Sequence, residues 1–297
     1  MREINIKHMK VLKLRVLNEK QKSDVDNLVR ECLKEENLER TLYLESDINY
    51  YVNMNCFYLL YNNQKLVSVL TIFQPLKDEA EISAYTLQAE RKKGYFDVLL
   101  SNAEEELCGF GVKRILFVVE PESKSGMAAL KAYDTKYFKS EYLLSLDIGE
   151  IVEDRIDTDF NLMELSFDKR LDAVNLSQKI FGIELEEAYD IVDTAMESES
   201  MNCYGFYTGD NLIGICNVSY GKNGASIFGL GIKPDYQGKG YGRILLNFVL
   251  AAVKKYGLSS ITLQVGSENK RAFSLYKSAG FQIQKQYDYY EYFIEIE

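Results

Sequence analysis

The chain has 297 residues, enough for about two ordinary domains, and its 45 Asp and Glu against 35 Lys and Arg give a net charge of −10. That acidic balance, with no lysine-rich tail or basic helix, argues against a nucleic-acid partner, and no stretch approaches the roughly 18 uncharged apolar residues of a membrane-spanning helix. The single histidine, His8, leaves almost no material for His-based triads or His-ligated metals, and the five cysteines, Cys32, Cys56, Cys108, Cys203 and Cys216, are scattered without C-x-x-C spacing and read as reduced, mostly buried side chains.

In chain order, residues 1–13 alternate charge with hydrophobicity and lack a signal-peptide core, which together with the cysteine usage predicts a cytoplasmic protein. Residues 57–67, FYLLYNNQKLV, read as two strands around a polar turn. They return as CYGFYTGDNLI at 203–213, an offset of 146. At the same offset Arg91-Lys92-Lys93-Gly94-Tyr95-Phe96 falls on Gln237-Gly238-Lys239-Gly240-Tyr241-Gly242, Gly111 falls on Gly257, and 115–119 falls on 261–265. Near the end of the first copy the register slips to 143, setting Tyr133 on Tyr276 and Phe138 on Phe281, which predicts a short insertion around 123–126. Each repeat is far longer than a solenoid unit. The chain therefore divides into two duplicated domains, 1–150 and 151–297, joined across the acidic segment 148–159.

The expected fold class is α/β, with two tandem domains that each hold a mixed, twisted sheet and helices on both faces. Each copy is predicted to run strand, two helices, hairpin, strand, glycine turn and helix, strand, helix, final strand. In the second copy the pattern gives strands near 161–167, 202–208, 211–219, 224–232, 259–265 and 282–296, with helices near 169–181, 185–197, 241–256 and 269–279.

The junction at Gln237 to Gly242 carries the chemistry. Three alternating glycines follow an apolar run, 227–232, and precede an amphipathic one, 243–256, so a strand, a tight turn and a helix succeed one another. The first N–H groups of such a helix lack intrahelical partners and its dipole is positive there, so the turn suits a phosphate or pyrophosphate. Neither G-x-G-x-x-G nor G-x-x-x-x-G-K-[ST] is present. After a strand at 258–265 comes a short helix, NKRAFSLYKSAGF at 269–281, ending at a glycine cap.

The combination Q-x-x-G-x-G, helix, strand, N-x-x-A-x-x-L-Y-x-x-x-G-F resembles the GNAT superfamily of acyl-CoA-dependent N-acyltransferases, from about Asn161 to the C-terminus. The resemblance implies acetyl-CoA as co-substrate, with its pyrophosphate on Gln237, Gly238, Lys239, Gly240, Tyr241 and Gly242. Leu230 and Ile232 would offer backbone groups to the pantetheine arm, Asn269 would contact the cofactor, and Tyr276 would protonate the departing thiolate. It also implies an N-acetyltransferase acting on a primary amine of a small molecule. Two alternatives stay open: an acyl-CoA-binding regulatory module without turnover, and an acyltransferase acting on a protein N-terminus.

Two departures accompany the resemblance. Where many relatives carry a glutamate as base, this chain has Phe228, which leaves three alternatives: another residue acting through a water chain, an amine delivered neutral, or a weaker activity; the final strand offers Asp288 and Glu291, whose alternating charges read as a solvated face. In the first copy Lys92 replaces Gly238 and Phe96 replaces Gly242. That predicts a degenerate domain kept for packing, the competing reading being an anion half-site on Arg91, Lys92 and Lys93. The layout resembles tandem-domain mycothiol synthases, with an intact C-terminal copy and a weakened N-terminal one.

Overall fold

The computed structural model describes residues 9–46, 49–151, 159–222 and 224–294; His8 and most of the 148–159 segment lie outside them. The chain packs as two compact units, the first holding residues to Ser140 together with those from Tyr287 onward, the second Glu141–Gln286.

In the first unit β1 (Met9–Leu14) leads into α1 (Glu19–Glu36). Asn18 starts that helix with a reciprocal cap: its Oδ1 accepts the Gln21 N–H at 2.9 Å and Gln21 Oε1 accepts its own N–H at 2.9 Å. Asn37, at φ 54°, stops it. There follow β2 (Phe57–Asn62), β3 (Lys65–Phe73), β4 (Glu79–Thr86), α2 (Tyr95–Gly109), β5 (Arg114–Val119) and α3 (Lys124–Leu130). The five strands stand in the order β1-β2-β3-β4-β5, antiparallel except for β4 beside β5. The expected second helix after β1 does not form in this copy. Among the described residues of 37–56 no helix occurs, because asparagines there bond to distant backbone and side chains instead. Asn49 Oδ1 accepts the Gln74 N–H at 2.6 Å, and Asn55 donates its N–H to Glu106 at 2.8 Å.

The second unit takes the later part of β6 (Lys136–Asp147), then β7 (Phe160–Glu164), α4 (Arg170–Phe181), α5 (Leu185–Glu197), β8 (Met201–Thr208), β9 (Asn211–Tyr220), β10 (Gly224–Ile232), α6 (Tyr241–Lys254), β11 (Ser260–Gly266), α7 (Lys270–Ser278) and the start of β12 (Gln282–Phe293). Its strand order is β6-β11-β10-β9-β8-β7. One face carries Cys216, Val218 and Ile227 with Leu245, Val249 and Tyr276 of α6 and α7. The other carries Cys203 and Ile215 with Val174, Leu176, Ala188 and Val192 of α4 and α5. Helices thus cover both faces of a mixed sheet.

The duplication is written into the backbone. Left-handed residues recur at the same offset: Asn63 at φ 56° and Gly209 at 53°, Lys92 at 60° and Gly238 at 77°, Gly94 at 79° and Gly240 at 84°, Gly111 at 80° and Gly257 at 68°. The hairpin irregularity recurs too, at Leu60/Tyr61 and Phe206/Tyr207. The caps of α3 and α7, Ser123 and Asn269, keep the offset of 146, each accepting the N–H three residues on (Gly126 and Ala272). The register slip therefore falls after Gly126 rather than around 123–126. Counted from the caps, the residue opposite Tyr276 is Leu130, not Tyr133.

The last strand of each copy is exchanged. Glu141–Asp147 of β6 pairs antiparallel with β11 in the second unit, and Asp288–Phe293 of β12 pairs antiparallel with β5 in the first. The units consequently divide at Ser140/Glu141, with the chain end returning to the first, where the sequence pattern places the division between 150 and 151.

Candidate functional site

The parallel ladder between β10 and β11 runs from Gly224↔Ser260 to Ile227↔Leu263 and stops there, although β10 continues to Ile232 and β11 to Gly266. Against β9 the register of β10 shifts between Phe228 and Gly231, and Gly229 sits at φ 58°. This is a β-bulge, which bends a strand and redirects its backbone. It takes Leu230 and Ile232 out of the ladder with β11, so their main-chain groups stand at the edge of the opening between the two strands.

The glycine turn lies at the end of β10. Gly238 and Gly240 are left-handed, and a Cβ at either meets nothing within 4 Å, so glycine serves the conformation and leaves the space above the turn free. Gly242 is different: it has no positive φ, and a Cβ there would make an ordinary contact with Leu275 at 3.7 Å. Gln237 donates its N–H to Pro234 at 3.1 Å and Arg243 donates to Gly240 at 3.0 Å. Between them, the amides of residues 238–242 donate to no backbone carbonyl among the described residues. Five N–H groups at the positive end of α6 make an anion cradle.

The side chains around the turn divide by task. Gln237 donates Nε2–H to the Ile232 carbonyl at 2.8 Å and accepts from Arg271 at 3.3 Å, tying the turn to its strand and to α7. Lys239 donates to the Asp235 carbonyl at 3.1 Å. The Tyr241 ring packs on Phe160 at 5.0 Å, leaving only its backbone to face a ligand. Arg271 and Arg243, whose guanidinium meets Ser278 Oγ at 2.5 Å, add positive charge that the motif did not single out. Their signal in the sequence was their place one turn into α6 and α7, behind each helix start.

Asn269 spends its Oδ1 on the cap, accepting the Ala272 N–H at 3.1 Å, which leaves Nδ2 for any ligand. Tyr276 is 7% exposed, its ring lies edge-on to Phe281 at 5.9 Å, and its hydroxyl makes no hydrogen bond among the described residues. Burial, with a smaller contribution from Cys216, holds its pKa well above the usual phenol range. Phe228 is half-buried and pairs with Asn217 across the β9–β10 ladder.

Asn217 was not singled out in the sequence. It is 1% exposed, its Oδ1 is buried without a hydrogen-bond partner, and its Nδ2 lies 2.9 Å from where a Cβ on Gly229 would stand. It shares the sheet face of Ile215, opposite to that of Cys216 and Tyr276. Its signal was an interior amide in a mostly apolar strand, NLIGICNVSY. Asp288 and Glu291, in contrast, belong to the first unit. Asp288 accepts from Ser140 Oγ at 2.6 Å and Glu291 pairs with Arg114 at 3.2 Å. Both carboxylates are thus engaged by partners within the first unit.

The first copy keeps the turn's backbone and loses its chemistry. Arg91 is neutralised by Glu35 at 3.1 Å and Glu36 at 2.8 Å, and Lys93 by Glu90 at 2.7 Å. Glu36 also accepts the Ser125 N–H at 3.1 Å and the Ser123 hydroxyl at 3.2 Å, so the protein's own carboxylate occupies the start of α3. Burial works against that charge, but the bonds from Ser125, Arg91 and Ser123 outweigh it and its pKa is lowered. Phe96 packs against Phe117 and Tyr133. β4 keeps an unbroken register with β3 and has no bulge. Of the three basic residues of that turn, Arg91 and Lys93 are thus paired with carboxylates of the protein itself.

A bulged strand thus opens onto a glycine turn, and a tyrosine stands seven residues past the next helix cap. Residues 171–281, within the second unit, match the family model described as acetyltransferase (GNAT) family. The chain is similar to the [ribosomal protein bS18]-alanine N-acetyltransferase of Escherichia coli K12, 39% identical over 57 residues that cover 19% of this chain and 38% of that protein. It is also similar to the mycothiol acetyltransferase of Propionibacterium freudenreichii, 35% identical over 63 residues, covering 21% of this chain and 20% of that one. The chain thus aligns with well under half of the length of these curated relatives. Over nearly its whole length it has the fold of a tandem GNAT protein from the clavulanic acid biosynthesis pathway, with a TM-score of 0.72, 13% identity and coverage of 97% of this chain and 99% of that one.

Proposed function

We propose that the second unit transfers acetyl from acetyl-CoA to a primary amine of a small molecule. The observation that carries this reading is the row of unbonded amides at 238–242 standing at the end of the strand that leaves the β10–β11 ladder. In this reading the amides hold the pyrophosphate, with Lys239, Arg243 and Arg271 as the cationic rim. Leu230 and Ile232 bond the pantetheine amides, and Asn269 Nδ2 donates to the cofactor.

The amine nitrogen attacks the thioester carbonyl carbon, a C–N bond forms, and the carbonyl electrons move to oxygen. As the tetrahedral adduct collapses, the C–S bond breaks with its electron pair on sulfur, and Tyr276 gives its proton to that thiolate. The phenol is protonated at neutral pH, as an acid must be, and burial, which raises its pKa, makes it a weaker donor than a free phenol. With phenylalanine at 228, the amine arrives neutral and Asn217 Oδ1 accepts one of its N–H bonds, fixing the lone pair. Asn217 and Tyr276 lie toward opposite faces of the sheet. The proton released from nitrogen passes to solvent, and solvent returns one to the Tyr276 phenolate. The five free cysteines fit a reducing, cytoplasmic setting.

The test is incubation with acetyl-CoA and a panel of small amines and short peptides, following thiol release and acetylated product. Turnover on small amines supports the reading. Turnover confined to peptide N-termini favours a protein acceptor, the acceptor class named for the Escherichia coli relative. Cofactor binding without thiol release from any acceptor favours a binding module.

A further inference from the structure

The first unit holds a cavity of about 440 Å³, within the range of small-molecule sites. It opens where β4 and β5 separate: their parallel pairing ends at Ile82↔Phe117, and the wall continues through Ser83 to Thr86 on one side and Val118 to Glu120 on the other. Beside it the features of the second unit's turn are altered: Phe96 packs against Phe117 and Tyr133, β4 has no bulge against β3, and Glu36 accepts from Ser123 and Ser125 at the head of α3.

What remains is a cavity with two unlike ends. One is aromatic, walled by Tyr95, Phe96, Phe117 and Tyr133. The other presents Arg40. Glu120, 2% exposed, fixes the backbone there by accepting the N–H of Glu39 at 3.0 Å and of Arg40 at 2.7 Å, and Tyr85 donates its hydroxyl to the Arg40 carbonyl at 2.5 Å. The guanidinium lies 4.7 Å from the centre of the Tyr287 ring. Its Nη2 donates to Ser83 Oγ at 3.2 Å, while Nε is buried with no hydrogen-bond partner. A charged donor left unbonded out of water is costly, and Nε together with Nη2 forms the side-on edge that receives a carboxylate through two parallel bonds.

We propose that this cavity binds a small aryl carboxylate, its carboxylate side-on to Arg40 and its ring among Phe96, Phe117 and Tyr133. The aromatic walls present faces and edges to a ring, and the acid meets the Arg40 Nε–H, which has no hydrogen-bond partner among the described residues. The site is independent of the chemistry assigned to the second unit.

Calorimetry on the full chain with hydrocinnamate, hydrocinnamyl alcohol and coenzyme A tests it. Hydrocinnamate is expected to bind once per chain, with the alcohol and the Arg40→Gln protein each at least about tenfold weaker, the scale of a lost charged hydrogen bond. Ala129→Phe, which fills the cavity from α3 without touching Arg40, is expected to abolish binding. Both variants should keep wild-type coenzyme A affinity, which reports that the chain is folded. Absence of hydrocinnamate binding, equal affinity for acid and alcohol, indifference to both substitutions, or displacement of hydrocinnamate by coenzyme A would each overturn the proposal.

Discussion

Replacing Tyr276 with phenylalanine removes one oxygen and keeps the ring, so the contact with Phe281 at 5.9 Å survives. The hydroxyl makes no hydrogen bond among the described residues, and its loss orphans no partner there. With no partner left unsatisfied, Tyr276→Phe should melt close to the wild-type temperature. Turnover should move the other way. A positioned general acid contributes about 10²–10⁴-fold, and we expect kcat to fall by about 10², or roughly 2.7 kcal/mol at 1.36 kcal/mol per decade. The negative charge on sulfur that the phenol meets exists only as the C–S bond breaks, so KM for acetyl-CoA should stay within about twofold. Steady-state thiol release at saturating amine, paired with a melting curve, reads both quantities. An unchanged kcat would refute the acid role, and a lowered melting temperature with a raised KM would show that the residue is packing.

Gly240→Val forces a β-branched residue to φ 84°, at a cost of about 1–2 kcal/mol, and should abolish coenzyme A binding by calorimetry. Gly242→Ala should bind nearly as wild type, since its Cβ meets only Leu275 at 3.7 Å. Gly242→Phe, which copies Phe96, should lose the site, and normal binding by it would sink the reading of the first copy. Asn217→Ala should raise KM for the amine about tenfold with KM for acetyl-CoA unchanged; equal effects on both would mean a structural role. Stability should fall as pH rises above about 10, because burial raises the pKa of Tyr58, Tyr85, Tyr133 and Tyr276. The unfolded tyrosines then hold fewer protons than the folded ones. Melting curves paired with tyrosinate absorbance would show it, and flat stability through that range would contradict the burial.

Much of the molecule was legible from the chain because its signals are local. A left-handed turn needs glycine or asparagine within one or two positions, so Asn63, Gly94 and Gly111 announced their partners Gly209, Gly240 and Gly257. The strand, turn and helix at 232–241 follow from residues within a few places of one another, and the elements of the second copy form close to where the hydrophobic period sets them. The first copy's missing helix shows the limit of arguing by symmetry: residues 37–56 are Asn-punctuated, and their bonds go to Gln74 and Glu106, far along the chain.

Tertiary structure decided whatever depends on which surfaces meet. A strand's sequence says that it alternates faces, but not which open edge it joins, so nothing in 136–147 or 282–293 revealed that these strands change places. That exchange assigned Asp288 and Glu291 to the first unit. Beside the bulge at Phe228 to Gly231, Asn217 became a buried acceptor without a partner among the described residues. The cavity beside Arg40 exists because β4 and β5 part while the loop after α1 is pinned by Glu120, 80 residues away. Local preference fixes the shape of a turn within a few residues; the edge a strand pairs with, and the donors left unsatisfied, depend on packing between segments far apart in the chain.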